Sequence, residues 1–139
     1  MRKFLIATCG MLLFSSAVLA EDAVETCANG AGFVVVGAVT GHKYCSSYNT
    51  MNWWNAWAWC DAMGMRMFDF NDCACGNTTA DCANMCPEMK EASNVSQWNW
   101  TTRSKNASQA YGINPSHGKI YHSWNRDNSA YGSFHALCY

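Results

Sequence analysis

Charge is scarce in this chain. Nine Lys and Arg face ten Asp and Glu over 139 residues, for a net charge of -1. No basic stripe is formed, which removes the electrostatic footprint expected of a nucleic-acid partner. A second long apolar run is also missing after the one near the N-terminus, so no membrane span is expected. Acids are rarest late in the sequence, where Asp127 is the sole carboxylate between Gln97 and Tyr139. Calcium prefers several carboxylate or carbonyl oxygens, so that region is poorly equipped to hold it. The histidines, His42, His117, His122 and His135, show no triad-like grouping. Catalysis is therefore not expected. What the chain does hold in quantity is Trp, Tyr, Asn and Ser, side chains that bind by stacking and amide hydrogen bonds rather than by ion pairs.

The first twenty residues, "MRKFLIATCGMLLFSSAVLA", combine a basic start at Arg2 and Lys3, an apolar middle and small residues before Ala20. This is the pattern of a secretory signal peptide cut after Ala20. A lipoprotein would need Cys at the cut, and Cys9 sits too early. Residues 21–139 then suit one domain, secreted or periplasmic and mildly acidic. Of nine cysteines, Cys9 falls in the leader, and the other eight are Cys27, Cys45, Cys60, Cys73, Cys75, Cys82, Cys86 and Cys138. An even set in an exported chain reads as a disulfide framework, whose connectivity the sequence leaves open. The run "CACGNTTADCANMC" could instead offer four thiolates to zinc or an iron–sulfur cluster. Its spacing is no standard zinc pattern, and an oxidising compartment favours disulfides.

Phe33 to Val39 is apolar and β-branched, Thr40-Gly41 signals a turn, and Lys43 to Ser47 can return as a second strand. Cys27 and Cys45 fall near the open end of that hairpin. The stretch "WWNAWAWCDAMGMRM", Trp53 to Met67, reads as helix. Trp53, Ala56, Trp57, Cys60 and Met63 share helical spacing and make one apolar face. Asn49 or Thr50 can cap its start, and Gly64 suits a left-handed C′ residue. Trp54 and Trp59 lie off that face. Residues 71–87 read as a cysteine-rich loop, with a helical turn near Ala80 to Met85. From Gln97 onward, "QWNWTT", "AYGIN", "KIYHSW" and "FHALCY" are short strand-like runs between Asn-, Ser- and Gly-rich turns. Helix early and sheet late is an α+β arrangement.

Four of these segments, in this order, resemble a C-type-lectin-like domain, in particular the short bacterial modules related to the formylglycine-generating-enzyme fold. They are "WNAWAWCDAMGMRM", "WNWTT", "AYGIN" followed by Gly118, and the closing "HALCY", His135 to Tyr139. The resemblance covers roughly Lys43 to Tyr139. It implies an N-terminal hairpin and helix followed by a short-stranded antiparallel sheet. It also implies that Cys60 joins Cys138, with Trp53 and Trp57 filling the space between helix and last strand. Cys27 with Cys45 resembles the extra hairpin bridge of longer members. Cys73, Cys75, Cys82 and Cys86 would then pair among themselves, direct bridging of Cys73 to Cys75 being the least comfortable option.

The family's sugar-binding members often use calcium held by acidic motifs. In "WNRD", Trp124 to Asp127, Arg126 stands in the place of the acidic ligand, so the expectation is binding without calcium or any other cofactor. The related enzymes need free active-site cysteines, whereas each cysteine here has a plausible structural partner. The resemblance implies a ligand face in the strands and loops ahead of Cys138, for which Tyr111, Tyr121, Trp124, Asn125 and Tyr131 are the candidates. The ligand expected is a protein or a glycan. A structural or envelope-associated protein without a discrete ligand, and a cysteine-rich metal module, are the alternatives. N-x-Ser/Thr triplets at Asn77, Asn94, Asn99 and Asn106 matter only in a eukaryotic secretory pathway, and the resemblance points to bacteria.

Overall fold

The computed structural model describes residues 25–74, 84–127 and 134–139. The signal-peptide expectation, Cys75, Cys82, Tyr131 and the Asn77 triplet lie outside the described residues, as does most of the expected helical turn at Ala80 to Met85. Met85 itself makes an antiparallel bridge to Lys119.

Strands β1 (Thr26–Cys27), β2 (Gly32–Val36) and β3 (Lys43–Met51) lead into helix α1 (Trp53–Ala62). Strands β4 (Asn99–Ser104), β5 (Gln109–Ile113), β6 (Ile120–Asn125) and β7 (Phe134–Cys138) follow. The four late runs of the sequence are thus strands, and the hairpin turns at Gly41, whose φ of 69° suits glycine. All seven strands form one sheet in the order β1-β2-β3-β7-β4-β5-β6. The arrangement is mixed α and β, but the sheet is not wholly antiparallel as expected: β7 runs antiparallel to β3 and parallel to β4, with Asn99 opposite His135. Since β3 and β4 point opposite ways, a strand slotted between them can oppose only one. Backbone hydrogen bonds tie Arg66 to Tyr139 and Phe68 to Leu137, so the chain after α1 also runs beside the end of β7.

Alternation along β7 divides the core between the two faces of the sheet. Phe134, Ala136 and Cys138 pack with Trp53, Ala56, Cys60, Met67 and Trp100. Leu137 joins Phe33, Val35, Tyr44, Phe68, Met89 and Ile113. Trp53 Nε1 donates to the Thr101 carbonyl at 2.8 Å, and Trp100 Nε1 to the Met51 carbonyl at 2.8 Å. Both indoles thus bury their rings with the N–H satisfied.

The helix face is narrower than expected. Trp53, Ala56 and Cys60 are buried, whereas Trp57 is half exposed. Small residues at 56 and 60 let α1 sit close on β7, and Trp57 falls past the edge of that contact. Trp54 is likewise half exposed, and Trp59 packs at the margin of the core. The cap is Asn52, whose side chain accepts from the Asn55 amide at 2.8 Å, because Asn49 and Thr50 belong to β3. Gly64 follows the helix at φ 68°, as its position predicts.

Three disulfides are present among the described residues: Cys27–Cys45, Cys60–Cys138 and Cys73–Cys86. The second fastens the helix to the central strand. No helix among the described residues is long and apolar enough to cross a membrane.

Candidate functional site

Two irregular strands shape the site. Between the pairs Ser46–Leu137 and Thr50–His135, β3 advances four residues while β7 advances two. The surplus chain turns Ser47 toward β7. His135 Nδ1 lies 2.7 Å from the Ser47 carbonyl oxygen, and the Ala136 amide donates to Ser47 Oγ at 2.9 Å. Ser47 Oγ in turn donates to the Asn49 carbonyl at 2.7 Å. β3 is thereby held against β7 while bulging away from it.

The second irregularity is in β6. Ala110 pairs with Trp124 and Gly112 with Tyr121, so three steps on β6 match two on β5. In a regular strand residues three apart point to opposite faces. The extra residue brings both rings together, with centroids 5.6 Å apart. Trp124 meets Phe134 edge to face at 4.9 Å, and Trp98 stacks on Phe134 at 5.8 Å. Phe134 lies on Gly112, where an added Cβ would come within 2.1 Å of the ring. Glycine is required there by close approach rather than by φ.

These rings border a cleft of about 380 Å³. Trp98, Trp124 and Phe134 supply its aromatic surface, and Thr50, Ser96, Gln97 and His135 its polar groups. Among the described residues no Asp, Glu, Lys or Arg lines it. Ser46 Oγ donates to Asn99 Oδ1 at 2.7 Å and receives Gln97 Nε2 at 2.7 Å, which takes one of that amide's two N–H donors. Ser96 Oγ receives Asn114 Nδ2 at 3.2 Å. Among the described residues Trp124 Nε1 is buried without a hydrogen-bond partner, an arrangement that costs about 1–3 kcal/mol. Burial lowers the pKa of His135, with the bond to Ser47 opposing the shift.

Of the sequence candidates, the structure brings Tyr121 and Trp124 together at this cleft, Tyr121 half exposed beside it. Asn125 is exposed, and its Oδ1 accepts from the Asp127 amide at 3.0 Å, closing a local turn. Tyr111 is elsewhere: it packs edge to face on Phe70 at 5.2 Å, with the core cluster on the other face of the sheet. The sequence reading missed Trp98, Phe134, Gln97 and His135. The alternation Trp98-x-Trp100 was the available signal, since both rings contact Phe134.

The "WNRD" segment docks on the start of α1. Trp53 N donates to the Arg126 carbonyl at 3.0 Å, and Trp54 Nε1 to Asp127 Oδ1 at 2.9 Å. The Arg126 guanidinium lies over the Trp53 ring at 4.4 Å and reaches the Ser104 hydroxyl. Trp54 and Arg126 are therefore joined to the fold through cation–π and indole contacts.

A second depression of about 270 Å³ lies beside Tyr139. There Asp72 pairs with Arg66 at 2.9 Å and accepts from the Tyr139 hydroxyl. Burial raises the Asp72 pKa, partly offset by its hydrogen bond with Asp69 and by Arg66. His42 meets the Tyr44 and Tyr139 rings, each at 5.0 Å. Among the described residues no group of three or more His, Cys, Asp or Glu is placed to hold a metal ion. No protein-family model matches the chain, and no curated protein matches it.

Proposed function

We propose that the chain is an exported C-type-lectin-like binding module that holds an uncharged, hydroxyl-bearing ring, a neutral glycan, in the aromatic cleft without calcium. The observation that carries this reading is the cleft's composition: stacking surface from Trp98, Trp124 and Phe134, neutral polar groups beside it, and no charged lining residue among those described. The apolar face of a pyranose suits aromatic rings, and its hydroxyls suit amide and imidazole groups. Small-molecule sites commonly have this form, with a few placed polar groups in an apolar wall. The three disulfides favour an oxidising compartment.

A protein ligand is the second reading. It is favoured by Trp54 and Trp57, both half exposed on α1, because Trp is enriched at protein interfaces. A glycan array and a pull-down with the oxidised protein separate the two, run beside Trp98→Ala and Trp57→Ala. The glycan reading expects Trp98→Ala to lose binding and Trp57→Ala to keep it. The reverse pattern moves the site to the helix.

A further inference from the structure

Resting on the cleft reading above, we propose that His135 is the cleft's selecting hydrogen-bond acceptor, taking a ligand hydroxyl on Nε2, and that protonation of this one ring releases the ligand.

The argument begins with the tautomer. His135 Nδ1 lies 2.7 Å from the Ser47 carbonyl oxygen. A carbonyl can only accept, so Nδ1 carries the proton. In the neutral ring Nε2 then has a bare lone pair and accepts. The backbone bulge that delivers Ser47 to β7 therefore decides the chemistry of the opposite ring nitrogen. Gln97 adds a second acceptor in its side-chain carbonyl oxygen, one of its two amide N–H groups being held by Ser46. Acceptors placed beside aromatic rings favour ligands that donate, as sugar hydroxyls do.

The switch follows from the same bond. With Nδ1–H already fixed, an arriving proton has only Nε2 to occupy. Acceptor becomes donor, and a charge enters a cleft whose described lining holds no counter-charge. Around His135, Thr50 is opposite on β3 and Asn99 on β4, Ser47 holds Nδ1, and the Trp98 carbonyl takes its amide. None of these titrates; another imidazole beside the cleft's rings is that of His117, 6.1 Å from Trp98, and His117→Asn is expected to leave the pH response of binding in place. Burial keeps the ring neutral to below its ordinary value, about 6.5. Binding is thus expected to be flat above that pH and to fall below it.

The test uses the oxidised protein and maltotriose, cellotriose, mannotriose and chitotriose, followed by tryptophan fluorescence, with the tightest carried forward. His135→Asn keeps a donor at the Nδ1 position and has nothing at Nε2. It is expected to melt like the parent above pH 7, to bind about tenfold more weakly there, and to show no pH dependence between 5 and 8 (~ the imidazole window). Wild-type-like affinity, or a retained pH response, in His135→Asn overturns the inference. If Trp98→Ala still loses binding in that case, the cleft reading survives alone. Binding by none of the four sugars removes the glycan reading and this inference together. Nitrogen NMR of the imidazole checks the tautomer without ligand, and a neutral ring protonated at Nε2 would by itself refute the proposal.

Discussion

Glu88 has no exposed surface, and the hairpin turn hangs on it. The amides of Val39 and Thr40 donate to Oε2 at 3.1 and 3.0 Å, while the Thr40 hydroxyl and the Tyr44 phenol, at 3.3 Å, donate to Oε1. Burial, and after it the neighbouring Glu88, pushes the Tyr44 phenol well above its ordinary value, so it stays a donor. Glu88→Gln places an amide N–H against these donors and should cost about 1–3 kcal/mol in urea denaturation. A pH series tests two further residues. The folded pKa of His135 is lowered, so its contribution to stability is present above the unfolded value of about 6.5 and lost as pH falls through the folded one. Asp72 is raised, so its contribution has the opposite sign: full below about 3.9 and lost as pH rises through the folded value. Melting temperatures of the parent should drop from pH 7 toward 5 (roughly the His window), and His135→Asn should flatten that slope.

At the scale of elements, the helix tests the packing directly. Trp53 and Trp100 are buried, so Trp53→Ala or Trp100→Ala should cost about 3–5 kcal/mol. Trp57→Ala should be near neutral in the same thermal melts, because half of its ring surface already meets solvent. Gly112→Ala drives a methyl into Phe134 and should cost about 1–3 kcal/mol, with a change in tryptophan fluorescence as the cleft rings shift. Helix α1 and the late strands were legible because apolar spacing and turn residues mark them locally. The two bulges were not. Reading a strand from alternation assumes one residue per step on both partners, and Tyr121 and Trp124 share a face only because β6 breaks that rule. His135 was passed over for the same reason: as one ring on a strand it carries no signal until the bulge in β3 supplies the Ser47 carbonyl. Trp57 was misplaced because helical spacing gives a face but not its width.

For the whole molecule, Cys60–Cys138 joins residues 78 apart, a cross-link worth about 4–5 kcal/mol in the chain-entropy model. Cys60→Ala should leave a largely unfolded product by circular dichroism, and peptide mapping of the parent should recover all three described cross-links. The strand order carries a further consequence. β7 follows every other strand in sequence yet sits at the middle of the sheet, between β3 and β4. During synthesis β1–β3 and β4–β6 can each pair locally, but no strand pairing joins the two sets until residues 134–138 emerge. Until then β3 and β4 present unsatisfied backbone edges, and such edges invite association with other chains. The two halves thus wait as separate sheets for a five-residue keystone. A chain stopped before Phe134 would leave the sheet in two pieces, and a synthetic peptide spanning 134–139, supplied in trans, is the strand that could join them.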